Sequence, residues 1–358
     1  MKINIKNYTF SELENLVTGL GFEKYRAGQL FHEIYAMRRK SFAEMITLPE
    51  DMRNRLDEEY TLLSFENVLV RVSADGSQKF LFELPDKKAI EAVHMPWLDE
   101  DGDIERYTIC ISSMAGCSVG CAFCATGTLG FKRNLDTAEI IDQILYVENE
   151  LNIKINNIVF MGMGEPLLNY SAVEKALEIL TDDRAKLFSR RKITVSTSGV
   201  SPRIKQLAKI KKPVKLAISL HATTNGSRES IMPIAKSFNL RSLMDSVEFY
   251  YRETKMPVTY EYIPFLGIND TDADAKRLAK IALRVPSRIN LIPFNDISFT
   301  NPVGMAKNLI PTPKDKIREF ADKVRSYGVA VIVRDTFGDD IEAACGQLAL
   351  SQEKQATA

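Results

Sequence analysis

The stretch Tyr107–Phe131, YTICISSMAGCSVGCAFCATGTLGF, holds four of the five cysteines in a chain of 358 residues. Its centre is Cys117, Cys121 and Cys124, spaced C-x3-C-x2-C on a short glycine-containing loop. Three thiolates so placed can converge on one compact inorganic centre. Structural zinc is nearly always closed by four ligands, whereas an iron-sulfur cubane held by three leaves one iron open to chelate another molecule. The competing reading is a zinc knuckle closed by Cys110, His94 or a more distant residue, but this spacing is a poor match to paired C-x2-C zinc modules.

On both sides of this loop the hydrophobic pattern alternates between strand and helix. Strand-like runs are expected at 107–112, 157–161, 192–197, 214–220, 258–264, 288–293 and 329–334, with helical patterns at 137–151, 171–180, 240–253, 272–283 and 313–327. Such alternation calls for a parallel sheet with crossover helices. The fold class is therefore α/β, and the number of repeats suits a partial barrel better than a closed eight-fold one, with an open sheet as the alternative. In either, chemistry belongs at the carboxyl ends of the strands. The cysteine loop follows the first expected strand, and Gly162-Met163-Gly164-Glu165-Pro166 follows the second. Ser196–Gly199 ends the third strand, Ser219-Leu220-His221 ends the fourth and Asn295 follows the sixth. Glycines that admit close backbone approach and small polar side chains on one rim make a cofactor cavity the expectation.

The first 60 residues read as helical, with Phe10, Leu13, Leu16, Val17 and Leu20 at helical spacing and Ser11 and Glu14 as a capping box. Asp75-Gly76 between two alternating runs predicts a hairpin, and 89–95 another strand. Residues 1–90 are accordingly expected to form a small helical and hairpin accessory domain, a candidate for RNA docking, with a catalytic core at 91–348 and a polar tail at 349–358. No apolar run reaches the roughly 20 residues needed to span a membrane, and no signal peptide is evident, so a cytoplasmic protein is expected. The 47 basic and 47 acidic side chains cancel, yet Arg184–Lys215 carries eleven Lys or Arg and no acid. Arg190, Arg191, Lys209, Lys211 and Lys212 in that segment are candidate phosphate contacts to RNA; the bland reading is a solvated face.

The cysteine spacing, with Phe123 before its last member, resembles the radical S-adenosylmethionine (radical-SAM) signature. Taken together, CISSMAGCSVGCAFCATGTLGFKRNL, FMGMGEPLLNY, VSTSG, LAISLHA, NLIPFN and DIEAACGQL are similar to the RlmN family of radical-SAM RNA adenine C2-methyltransferases, sister to Cfr. The resemblance implies a partial (βα)6-type radical-SAM barrel, one 4Fe-4S cluster on Cys117, Cys121 and Cys124, and SAM contacts at Gly164, Glu165, Ser196, Ser219, Leu220, His221 and Asn295. It also implies that Cys345 is methylated as an intermediate, that Cys110 later forms a transient disulfide with it, and that Glu91 accepts a proton. The implied substrates are 23S rRNA and tRNA, with two SAM per turnover, an electron donor such as flavodoxin or ferredoxin, and a monomeric enzyme. Phe337-Gly338 is closer to Cfr, whose product is methylated at C8, whereas GMGEP and STSG are RlmN forms; C2 is the expectation and C8 the alternative. Read from the residues alone, Cys110 and Cys345 pass for small buried hydrophobes. A zinc-containing RNA-binding protein without catalysis is the alternative of a different class.

Overall fold

The computed structural model describes residues 2–185 and 187–350, so residues 351–358 of the expected tail and Lys186 of the basic segment lie outside it. Ten strands make one sheet: β1 (Asn67–Val72), β2 (Gln78–Glu83), β3 (Ala89–Leu98), β4 (Ile104–Cys110), β5 (Asn157–Phe160), β6 (Ile193–Thr197), β7 (Lys215–Ser219), β8 (Val258–Tyr262), β9 (Ser287–Leu291) and β10 (Ala330–Val333). Their order in the sheet is their order in the chain. From β4 to β10 every neighbouring pair is parallel, and from β1 to β4 every pair is antiparallel. A parallel run whose order never reverses, with right-handed crossovers, keeps its helices on one side and curls the sheet towards a barrel. Among the described residues β10 pairs only with β9 and β1 only with β2, so the barrel stays open.

Strands β5 to β10 fall within two residues of the expected runs, while β4 begins three residues early. Its start is set by β3, which runs on to Leu98 and pairs that residue with Ile104. The expected hairpin is β1–β2, and through β3 it hydrogen-bonds onto β4, so it extends the sheet of the core. Helices α1 (Phe10–Gly19), α2 (Arg26–Tyr35) and α3 (Glu50–Glu59) precede the sheet. The crossovers carry α4 (Thr137–Leu151), α5 (Tyr170–Leu180), α6 (Ser201–Leu207), α7 (Asn225–Ile231), α8 (Leu240–Thr254), α9 (Asp272–Ala282) and α10 (Lys314–Ser326).

Successive strand residues point to opposite faces. Outward-facing Ile109, Ile158, Val195, Leu216, Ile218, Tyr260, Ile289 and Leu291 are buried in the main core. The same strands turn Cys110, Ser196, Ser219, Glu261 and Asn290 into the barrel, which explains why they alternate although parallel strands buried on both faces read as continuous apolar runs.

The capping box of α1 is Thr9 with Glu12, two residues before the expected Ser11 and Glu14. Both pairs have the right spacing, but starting at Phe10 lets that ring pack edge-on against Phe31 at 5.4 Å. Lys6 docks this region on α4 through a buried ion pair with Asp142, whose carboxylate also accepts from Ser64 Oγ at 2.5 Å. A cavity of about 290 Å³ lies beside that contact. Three of the charges in its walls are spent on structure, since Arg38 pairs with Glu148 at 2.5 Å as Lys6 does with Asp142.

Candidate active site

The cysteine loop hangs on two short arms, Met114–Gly116 and Phe131–Asn134, that pair antiparallel just after β4. Gly116 has φ +73°, and a Cβ there would lie 1.9 Å from the Gly130 carbonyl oxygen, so the arms can close only over glycine. The loop is fastened on two further sides. Ala122 N–H donates to Ile231 O at the end of α7 (2.8 Å), and Ala125 N–H and Thr126 Oγ1 donate to Gly346 O and Leu348 O near the C-terminus (both 2.6 Å). Cys117, Cys121 and Cys124 thereby face one cavity, shared with Gly164, Glu165, Ser196, Ser219, His221, Glu261 and Cys345.

Burial pushes the Cys117 thiol up to about 12 and the Cys121 thiol well above its ordinary value, and each lies close enough to Cys124 to feel its charge. Without a metal these are neutral thiols; a bound iron would take their protons and supply the missing positive charge. Among the described residues no three His, Cys, Asp or Glu side chains are grouped around a single point that could hold one metal ion. His94 lies in register with Ile109, on the outward face of β3. A cubane spreads its irons over separate corners, and three thiols on one loop, with the fourth thiol of the cavity, Cys345, on a separate segment, suit that shape.

The remaining expected residues divide by what their side chains do. Glu165, 3% exposed, accepts from Ser198 N–H and Oγ (both 2.6 Å) and from Leu167 N–H (3.0 Å), so it clamps the end of β6 while walling the cavity. Burial nevertheless holds its carboxyl above the usual carboxylate value. Ser196 and Ser219 place their hydroxyls 3.5 Å apart on adjacent strands. His221, at φ +51°, accepts from Ile263 N–H at Nδ1 (3.1 Å), which leaves the proton on Nε2. Burial and Arg228 push its imidazole down to about 3, so it is neutral. Leu220 is fully buried and is not among the cavity walls. Asn295 also stands back, donating Nδ2 to the Cys345 carbonyl at 3.0 Å and so positioning that residue. The glycines serve the chain's own packing: a Cβ at Gly162 would lie 2.7 Å from Ile111 backbone atoms, and one at Gly164 would lie 2.6 Å from Met114 Cβ.

Glu91 and Cys110 sit on neighbouring strands, β3 and β4, with Cys110 opposite Val93. Glu91 is 1% exposed, pairs with buried Lys79 at 3.4 Å and accepts from Leu350 N–H at 3.2 Å. Burial raises its carboxyl above the ordinary value against the pull of Lys79. Cys110 and Cys345 are free thiols, and each is pushed up by burial. Cys345 lies near enough to add to the rise at Cys110, although it opens to solvent on one side.

Three residues that no motif had marked complete the site. Arg228 is fully buried and its guanidinium donates to Ser198 O (2.5 Å), Ser219 O (3.1 Å) and Leu220 O (3.2 Å), tying two strand ends together beside Cys121. Asn269 donates to His221 O (2.6 Å) and Ile263 O (2.8 Å), holding His221 in its left-handed conformation. Glu261 lines the cavity and accepts from Asn290 Nδ2 at 3.0 Å. An acid at an inward position of VTYEY was the available signal for Glu261; Arg228, flanked by Ser227, Glu229 and Ser230, had none.

Residues 111–279 match the Radical SAM superfamily, and residues 3–62 match the ribosomal RNA large subunit methyltransferase N-terminal domain. The dual-specificity RNA methyltransferase RlmN of Geotalea uraniireducens (strain Rf4) is 42% identical over 350 residues, 97% of this chain and 96% of that protein. A probable dual-specificity RNA methyltransferase RlmN of Salinibacter ruber is 40% identical, covering 97% of this chain and 94% of its own length. A crystal structure of a radical SAM methyltransferase from Sphaerobacter thermophilus superposes with a TM-score of 0.87 at 36% identity, over 97% of this chain and 99% of that one.

Proposed function

The chain belongs to the RlmN family of radical-SAM, dual-specificity RNA methyltransferases, and on that premise we propose that it methylates C2 of one adenine in 23S rRNA and of the adenine beside the anticodon in tRNA, through a methyl group carried on Cys345. The observation that most supports this reading is Cys345 itself. A free thiol, held by Asn295 on one side and by the Gly346 contact to the cysteine loop on the other, opens into the cavity that Cys117, Cys121 and Cys124 line. A merely structural cysteine would have no reason to be there.

C2 of adenine lies between two ring nitrogens and is too electron-poor to attack an electrophilic methyl. When bound, a 4Fe-4S cluster on Cys117, Cys121 and Cys124 and two SAM per turnover, with an electron from a donor such as flavodoxin or ferredoxin, supply a methyl group and a radical that activates it. Gly164, Glu165, Ser196, Ser219 and His221 would hold SAM from the cavity wall, while Leu220 and Asn295 act from behind it. Cys345 would present the methyl carbon as it bonds to C2, leaving RNA joined to Sγ. Glu91 would then take the C2 proton, a role its raised carboxyl suits, as the unpaired electron left on the adenine by radical addition passes to an acceptor such as the bound cluster. The Cys110 thiolate would attack Sγ of Cys345; the carbon-sulfur bond breaks, its electron pair returns to the carbon, which is protonated, and a transient Cys110–Cys345 disulfide remains. A monomeric, cytoplasmic enzyme is consistent with this reading.

Mass spectrometry of nucleosides from host RNA, with and without this protein, tests it. 2-Methyladenosine should disappear from 23S rRNA and tRNA when the protein is absent. 8-Methyladenosine in its place would move the enzyme to the Cfr chemistry, and no change in either nucleoside would sink the proposal.

The candidate RNA contacts separate in space. Lys212 pairs with Asp183 at 2.8 Å and donates to Thr181 O at 2.6 Å, so it acts as a structural tie. Lys209 lies against the Phe249 ring at 5.6 Å on the outer helices, with Lys211 close by in the chain. Arg190 and Arg191, before β6, turn towards the other end of the barrel.

A further inference from the structure

The amino ends of β6 to β9 surround a second cavity, of about 580 Å³, at the end of the barrel away from the cysteine loop. Arg190, Arg191, Lys215, Lys255 and Arg288 line it together with uncharged residues, and no acid is among its walls. None of these five cations takes part in an ion pair among the described residues. Lys215, Thr259 and Arg288 share the inward face with the catalytic cavity, because Ala217 pairs with Thr259 and Thr259 with Arg288. The Thr259 hydroxyl accepts from Arg288 Nε at 3.3 Å. Burial, with Arg288, Lys192, Arg106 and Arg191 nearby, pushes the Lys215 ammonium below its ordinary value.

Cations on a solvated surface spread apart; these are gathered into one concavity by strand register, where each raises the cost of the others unless an anion fills the space. The family's substrate is a polyanion. Thr259 lines this lower cavity and Glu261 the upper one, two residues or about 7 Å apart along β8. From Lys215 to Ser219 the same strand direction spans about 13 Å. We infer that the lower cavity is a phosphate site that grips the RNA backbone next to the reacting nucleotide, so that substrate enters the barrel from the end opposite the cysteine loop. This rests on the RNA reading above and adds to it a second, non-catalytic binding site with a direction of approach.

The test uses full-length, cluster-loaded protein, a fluorescent RNA hairpin containing the target adenine, and inorganic pyrophosphate. Affinity is measured across a salt series for the unsubstituted chain, for Lys215→Ser/Arg288→Ser, and for Lys276→Ser/Lys280→Ser on the exposed side of α9, which removes equal charge elsewhere. Two lost phosphate contacts should make the slope of log affinity against log salt shallower by roughly 1.4 to 1.8 and weaken binding at least about tenfold at low salt. The α9 control should keep the slope, and Lys215→Arg, which retains the charge, should keep both slope and affinity. Equal slopes in the Lys215/Arg288 variant and the unsubstituted chain overturn the site. Pyrophosphate binding lost with hairpin binding intact assigns the cavity to free polyphosphate and overturns the RNA occupant. Failure of the unsubstituted chain to bind the hairpin would instead count against the RNA reading as a whole.

Discussion

Cys110 and Cys345 lie 235 positions apart in the chain yet close enough in the fold for Cys345 to raise the Cys110 thiol. If they act in turn, their replacements should fail differently. Cys345→Ala should neither carry a methyl group nor change RNA, whereas Cys110→Ala should stall with a nuclease-resistant nucleotide on Cys345. An adduct-free Cys110 variant that turns over normally would reduce Cys110 to a strand residue. Because burial raises the attacking Cys110 thiol, release of RNA should quicken by up to about tenfold per pH unit between pH 7 and 9, as its thiolate fraction grows. Glu261 gives a second residue-scale outcome. Burial pushes its carboxyl from 4.5 up to about 7, so between those values the folded protein holds a proton that the unfolded chain has lost. That contribution to stability is complete below pH 4.5 and is lost as pH rises through 7, on the order of 3 kcal/mol. Glu261→Gln should therefore flatten the difference in urea midpoint between pH 5 and 8. A variant that tracks the unsubstituted chain across this range would show that the carboxyl titrates normally.

The cysteine loop works as an element because its arms cross over glycine. Gly116→Ala must move the Gly130 carbonyl and should purify without a full iron and sulfide complement. Gly120→Ala, also at positive φ but with open space around it, should cost about 1 kcal/mol of strain and keep its iron. Equal iron in both variants would mean that the arms tolerate separation. The loop's spacing and its place after a strand were legible in the residues, since thiol chemistry is local. What fastens it was not. Ala125 to Gly346 is a backbone contact without a side-chain signature, and the roles of Gly162 and Gly164 followed from strands that meet only in the folded sheet. The cap of α1 slipped by two residues for a related reason, as two equivalent local signals were decided by distant Phe31.

Across the molecule, the period and number of strands and helices foretold the partial barrel, while the attachment of the hairpin to it depended on pairing between strands, which no single segment encodes. The buried polar ties between regions were equally out of view. Lys6→Met should cost about 3–5 kcal/mol by stranding the Asp142 carboxylate inside the α4 interface, and Lys6→Met/Asp142→Leu should recover much of that loss. Chemical denaturation of the three proteins checks it; a double variant no better than the single one would show that the pair contributes through more than its charge. The contact between Thr126 and Leu348 has a consequence in time, because it joins residues 222 positions apart. At a synthesis rate of about 5–20 residues per second, the cysteines emerge roughly 10–45 s before the segment that completes their wall. For that interval the nascent loop is a set of exposed thiols, open to oxidation and to stray metals, and iron-sulfur delivery to this protein has a window that closes only when the segment carrying Gly346 and Leu348 is made.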